Sequence, residues 1–349
     1  MRVLVTGGAG LIGSHAVRAL QRAGFEPVVL DNLVFGHRRI VEQVLGVPLV
    51  VAQLDDRQQL DRLLAGQHPD APGASVGAVL HFAAFAYVGE SVQDPARYYR
   101  NNVAGSLTLL EALIDPRHQR SAPGAAAGPM PLVFSSTCAT YGIPAADQIP
   151  IRETTPQNPI NPYGRSKWMI EQLLADFHLA YGLPATILRY FNAAGADPAS
   201  DLDEDHTPET HLIPLVLEAL AGRRSSICIY GSDYPTPDGT CIRDYIHVCD
   251  LADAHVLALQ QLQRHGGLHH YNLGTGRGHS VLDVITTARR VTGLELQIDQ
   301  APRRPGDPPV LVASAEKAAA ELGWQPRFPD LATTIEHAWR WCQRSCTRV

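Results

Sequence analysis

Six short apolar runs, separated by amphipathic stretches, constrain this chain more than any other feature. Val3–Val5, Val28–Leu30, Leu49–Val51, Ala78–His81, Leu132–Phe134 and Thr186–Leu188 show no polar alternation, as strands buried on both faces require. Between them Ile12–Ala23, Asp56–Leu64, Pro95–Leu113 and Tyr163–Tyr181 carry apolar residues at helical spacing. Strand and helix in alternation predict a doubly wound parallel α/β sheet, because parallel neighbours need crossovers and the crossover helices cover both faces. Gly182, two residues before Pro184, marks the end of the last of these helices.

After about Asn192 the alternation breaks. Turn-rich runs at Gly195–Pro198, Asp233–Gly239 and Ala301–Pro309 point to a smaller, mixed α/β C-terminal lobe. The expected division is a dinucleotide-binding domain over 1–190 and a substrate lobe over 191–349, with segments free to cross between them. Residues 115–131 are Pro/Gly-rich and without apolar period, and read as a surface loop with no chemistry.

The chain has 349 residues with a net charge of −6 and only 18% charged residues, which argues against nucleic acid or an anionic membrane as partner. There is no membrane-length apolar run. Met1–Thr6 leads at once into the glycine-rich stretch, with no signal-peptide pattern before it. The expectation is a soluble, cytoplasmic protein. None of the six cysteines forms a Cys-x-x-Cys pair, so free thiols and no metal site are expected.

Gly7, Gly10 and Gly13 follow the first predicted strand and open the first predicted helix. In that context glycines permit a tight turn and close approach of a pyrophosphate to a helix N-terminus, which makes the expected sheet one of the Rossmann type. The spacing is Gly-x-x-Gly-x-x-Gly. Asp31 ends the second strand, where a carboxylate accepts a ribose 2′-hydroxyl and repels a 2′-phosphate, favouring NAD over NADP. Arg38 and Arg39 read as a solvated helix face.

Tyr163 and Lys167 lie four residues apart in a predicted helix, hence on one face. An ammonium beside a phenol favours the phenolate and lets it act as a base. The strand Leu132–Phe134 runs into Ser135-Ser-Thr-Cys-Ala-Thr140, and hydroxyls at a strand's C-terminal end enter the ligand crevice of such a sheet. A phenolate, a hydroxyl and a dinucleotide loop together suggest oxidation of a substrate hydroxyl.

These runs, with Leu30-Asp-Asn32, His81-Phe-Ala-Ala84, Val88-Gly-Glu-Ser-Val92, Tyr98–Val103, Asn161–Lys167, Leu188–Asn192, Tyr230–Thr240, Arg243–His247, Tyr271–Gly274, Ser280–Asp283 and Pro302–Asp307, make the chain resemble the extended short-chain dehydrogenase/reductases. Within them it is similar to the UDP-glucose 4-epimerases, over nearly its whole length. The resemblance implies an isomerase of galactose metabolism that inverts C4 of a UDP-sugar through a 4-keto intermediate, with NAD held tightly. It implies Tyr163 as base, Lys167 on the nicotinamide ribose and Thr137 as the catalytic hydroxyl. It places Gly7, Gly10, Leu11, Ile12, Gly13, Asp31, Asn32, Gln53, Leu54, Phe82, Ala83, Ala84, Asn101, Ser135, Tyr163, Lys167 and Tyr190 around NAD. Asn192 and Arg243 with Arg304 would hold the diphosphate, Tyr230 uracil and Asp307 the uridine ribose; His211, Leu212 and Leu311 complete the substrate set with Thr137. A homodimer through the Pro95–Leu113 and Tyr163–Tyr181 helices is also implied.

Three positions depart from the pattern of these relatives. Gln53 stands where many carry an Asp for adenine, with Asp55 as the alternative. Ala86 stands where some carry a Lys. Leu311 stands where several hexose-restricted relatives carry a Tyr, and its smaller side chain leaves room for an N-acetyl sugar. UDP-N-acetylglucosamine and UDP-xylose/arabinose are therefore alternative substrates. A UDP-sugar dehydratase or decarboxylase would share the first oxidation, but dehydratases of this superfamily carry an acid pair in the segment that here reads Ser135–Thr140. A non-catalytic NAD-binding protein would be expected to lack Tyr163 or Lys167.

Overall fold

Consecutive residues of the first strand serve opposite cores. In β1 (Arg2–Thr6), Val3 and Val5 join one apolar cluster and Leu4 the other, which is what a parallel strand covered by helices on both faces requires. The computed structural model describes residues 1–119, 128–199, 201–202, 209–304 and 306–346. The middle of the expected 115–131 loop lies outside them.

The six predicted strands are all present, as β1, β2 (Glu26–Asp31), β3 (Leu49–Val51), β4 (Val76–His81), β5 (Leu132–Thr137) and β6 (Ala185–Tyr190). A seventh, β7 (Leu268–Leu273), lies beyond the point where the alternation breaks and pairs in parallel with β6. The sheet order is β7-β6-β5-β4-β1-β2-β3, parallel throughout. The chain runs from β1 outward to β3, then returns to the other side of β1 at β4. The loops after β1 and β4 therefore diverge and open a crevice at the strands' C-terminal ends.

Local chemistry sets the helix ends. Helix α1 (Leu11–Arg22) starts at Gly10 without a side-chain cap. Helix α2 (Arg57–Leu64) is capped by Asp56, whose carboxylate accepts from the Gln59 amide at 3.1 Å. The predicted Pro95–Leu113 helix is continuous but changes pitch: a wide π turn over Tyr99–Ala104 precedes α3 (Gly105–Ile114) and buries Asn102. Helix α4 (Pro162–Tyr181) has Asn161 as cap, accepting from Gly164 N at 2.8 Å, Pro162 in its first turn and Gly182 as left-handed stop at φ 71°.

Helices α2, α3 and α4 cover one sheet face through Leu60, Leu109, Ile170 and Leu174. The other face is covered by α1 and by α6 (Val248–His265), through Val17, Leu20, Leu251 and Leu259. In the remaining lobe the strand Ile242–His247 pairs with Gly278–Ser280 in antiparallel and with Asn192–Ala194 and Val310–Leu311 in parallel. Helices α5 (Leu212–Leu220), α7 (Val281–Thr292) and α8 (Leu331–Cys346) share a third apolar cluster around Val216, Ile285 and Ile335. Cys138, Cys228, Cys241 and Cys249 are free thiols. Among the described residues no helix is long and apolar enough to cross a membrane.

Candidate active site

One cavity of about 490 Å³ occupies the crevice and runs from the loop after β1 to the second lobe. Gly7, Gly10, Leu11, Ile12 and Gly13 form one end. Two of these glycines are demanded by packing. A Cβ on Gly13 would stand 2.2 Å from the Gly7 carbonyl oxygen, and one on Gly7, at φ +72°, would stand 2.6 Å from Ala83 N. Gly10 differs: a Cβ there meets nothing closer than 3.6 Å. Its bare face belongs to the cavity, at an α1 N-terminus with no side-chain cap. Such a cradle of backbone amides fits a dinucleotide pyrophosphate.

Asp31 and Asn32 line the same end. The Asp31 carboxylate accepts from Ala9 N at 3.0 Å and Leu33 N at 2.8 Å, which ties the glycine loop to β2. Burial raises its pKa, and the two amide bonds oppose that. Leu54, Phe82, Ala83, Ala84 and Asn101 also face the cavity. Gln53 does not: it is exposed, and its amide oxygen accepts from Asn32 Nδ2 at 3.0 Å. Arg38 points away and pairs with Glu42 at 2.6 Å.

At the centre, β5 ends in Ser135 and Thr137, and α4 delivers Tyr163 and Lys167. Lys167 Nζ donates to the Ser135 carbonyl at 2.8 Å and lies 4.9 Å from the centre of the Phe134 ring. The Ser135 hydroxyl bonds to Tyr190 Oη at 2.5 Å. Burial pushes the Lys167 ammonium down to about 7, with the Glu171 carboxylate opposing. Burial pushes the Tyr163 phenol up; Tyr190 adds to this and a side-chain hydrogen bond with Thr137 works against it. Thr137 is thus the side chain that favours the phenolate, while Lys167 is anchored to the strand beside it. Asn102 braces this arrangement, donating to the Phe85 carbonyl and Ser166 Oγ at 3.0 Å each and accepting from Phe85 N at 2.8 Å.

The second lobe supplies Asn192, His211, Arg243, Asp307 and Leu311. Arg243 and Asp307 form an ion pair. Leu311 sits opposite Arg243 in strand register and shares an apolar cluster with Cys138 and Phe191. Tyr230 and Arg304 lie apart from the cavity lining, the guanidinium stacked 4.0 Å over the phenol ring. Leu212 opens α5 and packs against the third apolar cluster. Of the cofactor and substrate residues named from the sequence, Gln53 and its alternative Asp55, Leu212, Tyr230 and Arg304 are the ones that do not line the cavity.

The cavity also has walls that sequence reasoning passed over. Phe35, Phe85 and Tyr87 line it as an edge-to-face group, with Phe35 centred 5.8 Å from Phe85 and 5.2 Å from Tyr87. Cys138 lines it beside Thr137, its thiol pushed up to about 12 by burial. The available signal was positional: each follows the end of a sheet strand, where crevice residues belong.

The NAD dependent epimerase/dehydratase family matches residues 3–274. A UDP-glucose 4-epimerase of Halalkalibacterium halodurans is 48% identical over 98% of this chain and 95% of its own length. Among solved structures, UDP-glucose 4-epimerase from Brucella ovis in complex with NAD is 49% identical, with a TM-score of 0.87 over 97% of both chains. UDP-glucose 4-epimerase from Bifidobacterium longum in complex with NAD+ and UDP is 35% identical, with a TM-score of 0.89 over 100% of both. With matches of this identity and extent, the chain belongs to the NAD dependent epimerase/dehydratase family, among its UDP-glucose 4-epimerases.

Proposed function

We propose that this chain interconverts UDP-glucose and UDP-galactose by NAD-dependent inversion at C4. One observation carries the reading: the glycine cradle, the Thr137–Tyr163–Lys167 group and the Arg243–Asp307 pair all line a single cavity. The cradle would take a dinucleotide and Arg243 a nucleoside diphosphate, with Tyr163 lining the same cavity.

Gly10 to Gly13 and Asp31 hold the cofactor, which when bound supplies reversible hydride acceptance, so that C4 passes through a ketone. Tyr163 takes the 4-hydroxyl proton directly or through Thr137, which lines the same cavity and works against the rise of its pKa. Lys167 favours the phenolate by its charge and fixes the Ser135 strand end by its hydrogen bond. Arg243 and Asn192 bind the diphosphate, Asp307 the uridine ribose; binding energy gathered at the UDP end leaves the sugar free to present either face. Ser135–Thr140 contains no carboxylic acid, which disfavours a dehydratase.

Leu311 supports a second reading. It is a modest aliphatic wall beside Cys138 and Phe191, and leaves space for an acetamido group, so UDP-N-acetylglucosamine is a further substrate. Exposed Met169, Leu179 and Tyr181 on α4 support a homodimer through that helix. The free thiols support a reducing compartment such as the cytoplasm. The deciding experiment incubates the purified protein with UDP-glucose, UDP-N-acetylglucosamine and UDP-xylose, without added NAD, and identifies products by NMR. UDP-galactose from UDP-glucose supports the reading; an unchanged UDP-glucose sample overturns it.

A further inference from the structure

The chain contains only two lysines, Lys167 and Lys317, and Lys167 is buried. An isolated ammonium in such a place loses its proton unless something compensates for lost hydration. Its direct contacts, the Ser135 carbonyl and the Phe134 ring, carry no full charge. The compensating anion lies one helical turn on. Glu171, also buried, follows Lys167 by four residues on α4, the spacing that brings side chains onto one helix face.

Glu171 is held by donors from three directions. Arg189 of β6 donates through Nη2 at 2.6 Å and through Nε at 3.1 Å to both carboxylate oxygens. Ser136 Oγ donates from β5 at 2.5 Å and Gln157 Nε2 at 2.8 Å. Arg189 in turn donates to Tyr141 Oη at 3.0 Å, and that hydroxyl donates to Asn272 of β7 at 2.7 Å. Ser136 lies between Ser135 and Thr137, so the network ties α4 to the strand ends that carry the site.

The other groups around Lys167 do not substitute for Glu171. On α4, Tyr163 is a neutral phenol raised by burial. On β4, His81 is pushed down to about 3 by burial, with Lys167 adding to the effect, and so is neutral. Arg189 is a cation, and the Tyr190 phenol and Cys138 thiol are both pushed up to about 12. The π turn and α3 offer the uncharged Asn102 and Ser106. Glu90, on the short helix Val88–Gln93, is engaged by Arg97 and the Tyr98 hydroxyl.

We propose that Glu171, clamped by Arg189, is a positioning residue that keeps the Lys167 ammonium charged and fixed against the Ser135 strand end. The proposal rests on the roles given above to Tyr163 and Lys167. The attraction runs through space along α4, and the Arg189 fork, bonded to both carboxylate oxygens, leaves the Glu171 side chain unable to turn elsewhere.

Two lysines make the test direct. In protein grown with lysine 13C-labelled at Cε, the two signals are assigned with Lys317→Arg and followed against pH. Glu171→Gln is expected to lower the Lys167 midpoint by about one pH unit while the Lys317 signal is unmoved. Because Glu171→Gln leaves Arg189 buried without its partner, the double variant Glu171→Met/Arg189→Met is measured as well, and a lowered midpoint is expected there too. An unchanged Lys167 midpoint in either folded variant overturns the proposal. If the midpoint falls but the wild-type protein fails to epimerise UDP-glucose, the proposed function is overturned and the Glu171 assignment stands.

Discussion

Lys167 donates to the Ser135 carbonyl at 2.8 Å, and Ser135 through its hydroxyl bonds to Tyr190. The lysine is therefore tied to the C-terminal end of β5, an interior strand, rather than left swinging beside Tyr163. Its ammonium is presented to the crevice from a fixed point, and Thr137 is the side chain that works against the rise of the Tyr163 pKa.

The glycine loop separates a folding requirement from a binding one. Gly13→Ala forces a Cβ to 2.2 Å from the Gly7 carbonyl oxygen and is expected to destabilise the protein by more than about 2 kcal/mol. Gly10→Ala meets no protein atom closer than 3.6 Å and is expected to cost no more than about 1 kcal/mol, the preference for Gly over Ala at a helix N-cap, yet to lose bound NAD because the new methyl enters the cradle. Thermal melts with chromatography of the released cofactor check both halves.

Arg243 enters the cavity from the second lobe and is paired with Asp307. Arg243→Gln is expected to raise the KM for UDP-sugar about 10- to 100-fold, the equivalent of a lost charge-assisted bond of about 1.5–3 kcal/mol. The change in kcat is expected to be much smaller. Steady-state kinetics read the split.

Leu311→Tyr fills the wall shared with Cys138 and Phe191. Conversion of UDP-N-acetylglucosamine is expected to fall at least about tenfold more than conversion of UDP-glucose, since overfilling a pocket costs about 1–3 kcal/mol. Parallel kcat/KM measurements on the two substrates check it.

His255 predicts how the fold responds to acid. It is fully buried on α6 against Phe82 and near Tyr190, its Nε2 has no hydrogen-bond partner among the described residues, and burial pushes it down to about 4. A histidine held neutral in the fold contributes stability that is complete above its unfolded value of about 6.5 and is lost as pH falls towards the folded value. At pH 5 the loss amounts to about 2 kcal/mol. His255→Met is expected to reduce the fall in Tm between pH 7 and pH 5 by about 3 °C, read by calorimetry at the two pH values.

The six apolar runs were legible as strands because a strand buried on both faces has no competing pattern. Tyr163, Lys167 and Thr137 were legible because helix spacing and a strand end define where side chains go. β7 was not, because His269 and His270 interrupt its apolar character and its helix follows a long excursion through the second lobe. The Phe35–Phe85–Tyr87 wall was not, because loop aromatics carry no period. Nor was the stacking of Arg304 on Tyr230, since a guanidinium finds an aromatic face as readily as a phosphate and sequence does not say which.

The most direct measurement is the rate at which UDP-galactose appears from UDP-glucose in the wild-type protein and in Tyr163→Phe, alongside calorimetric UDP binding. The expected result is UDP-galactose from the wild type, a loss of at least about 100-fold in Tyr163→Phe, and unchanged UDP affinity. Full activity in Tyr163→Phe would contradict the assignment of Tyr163 as the proton-transferring group.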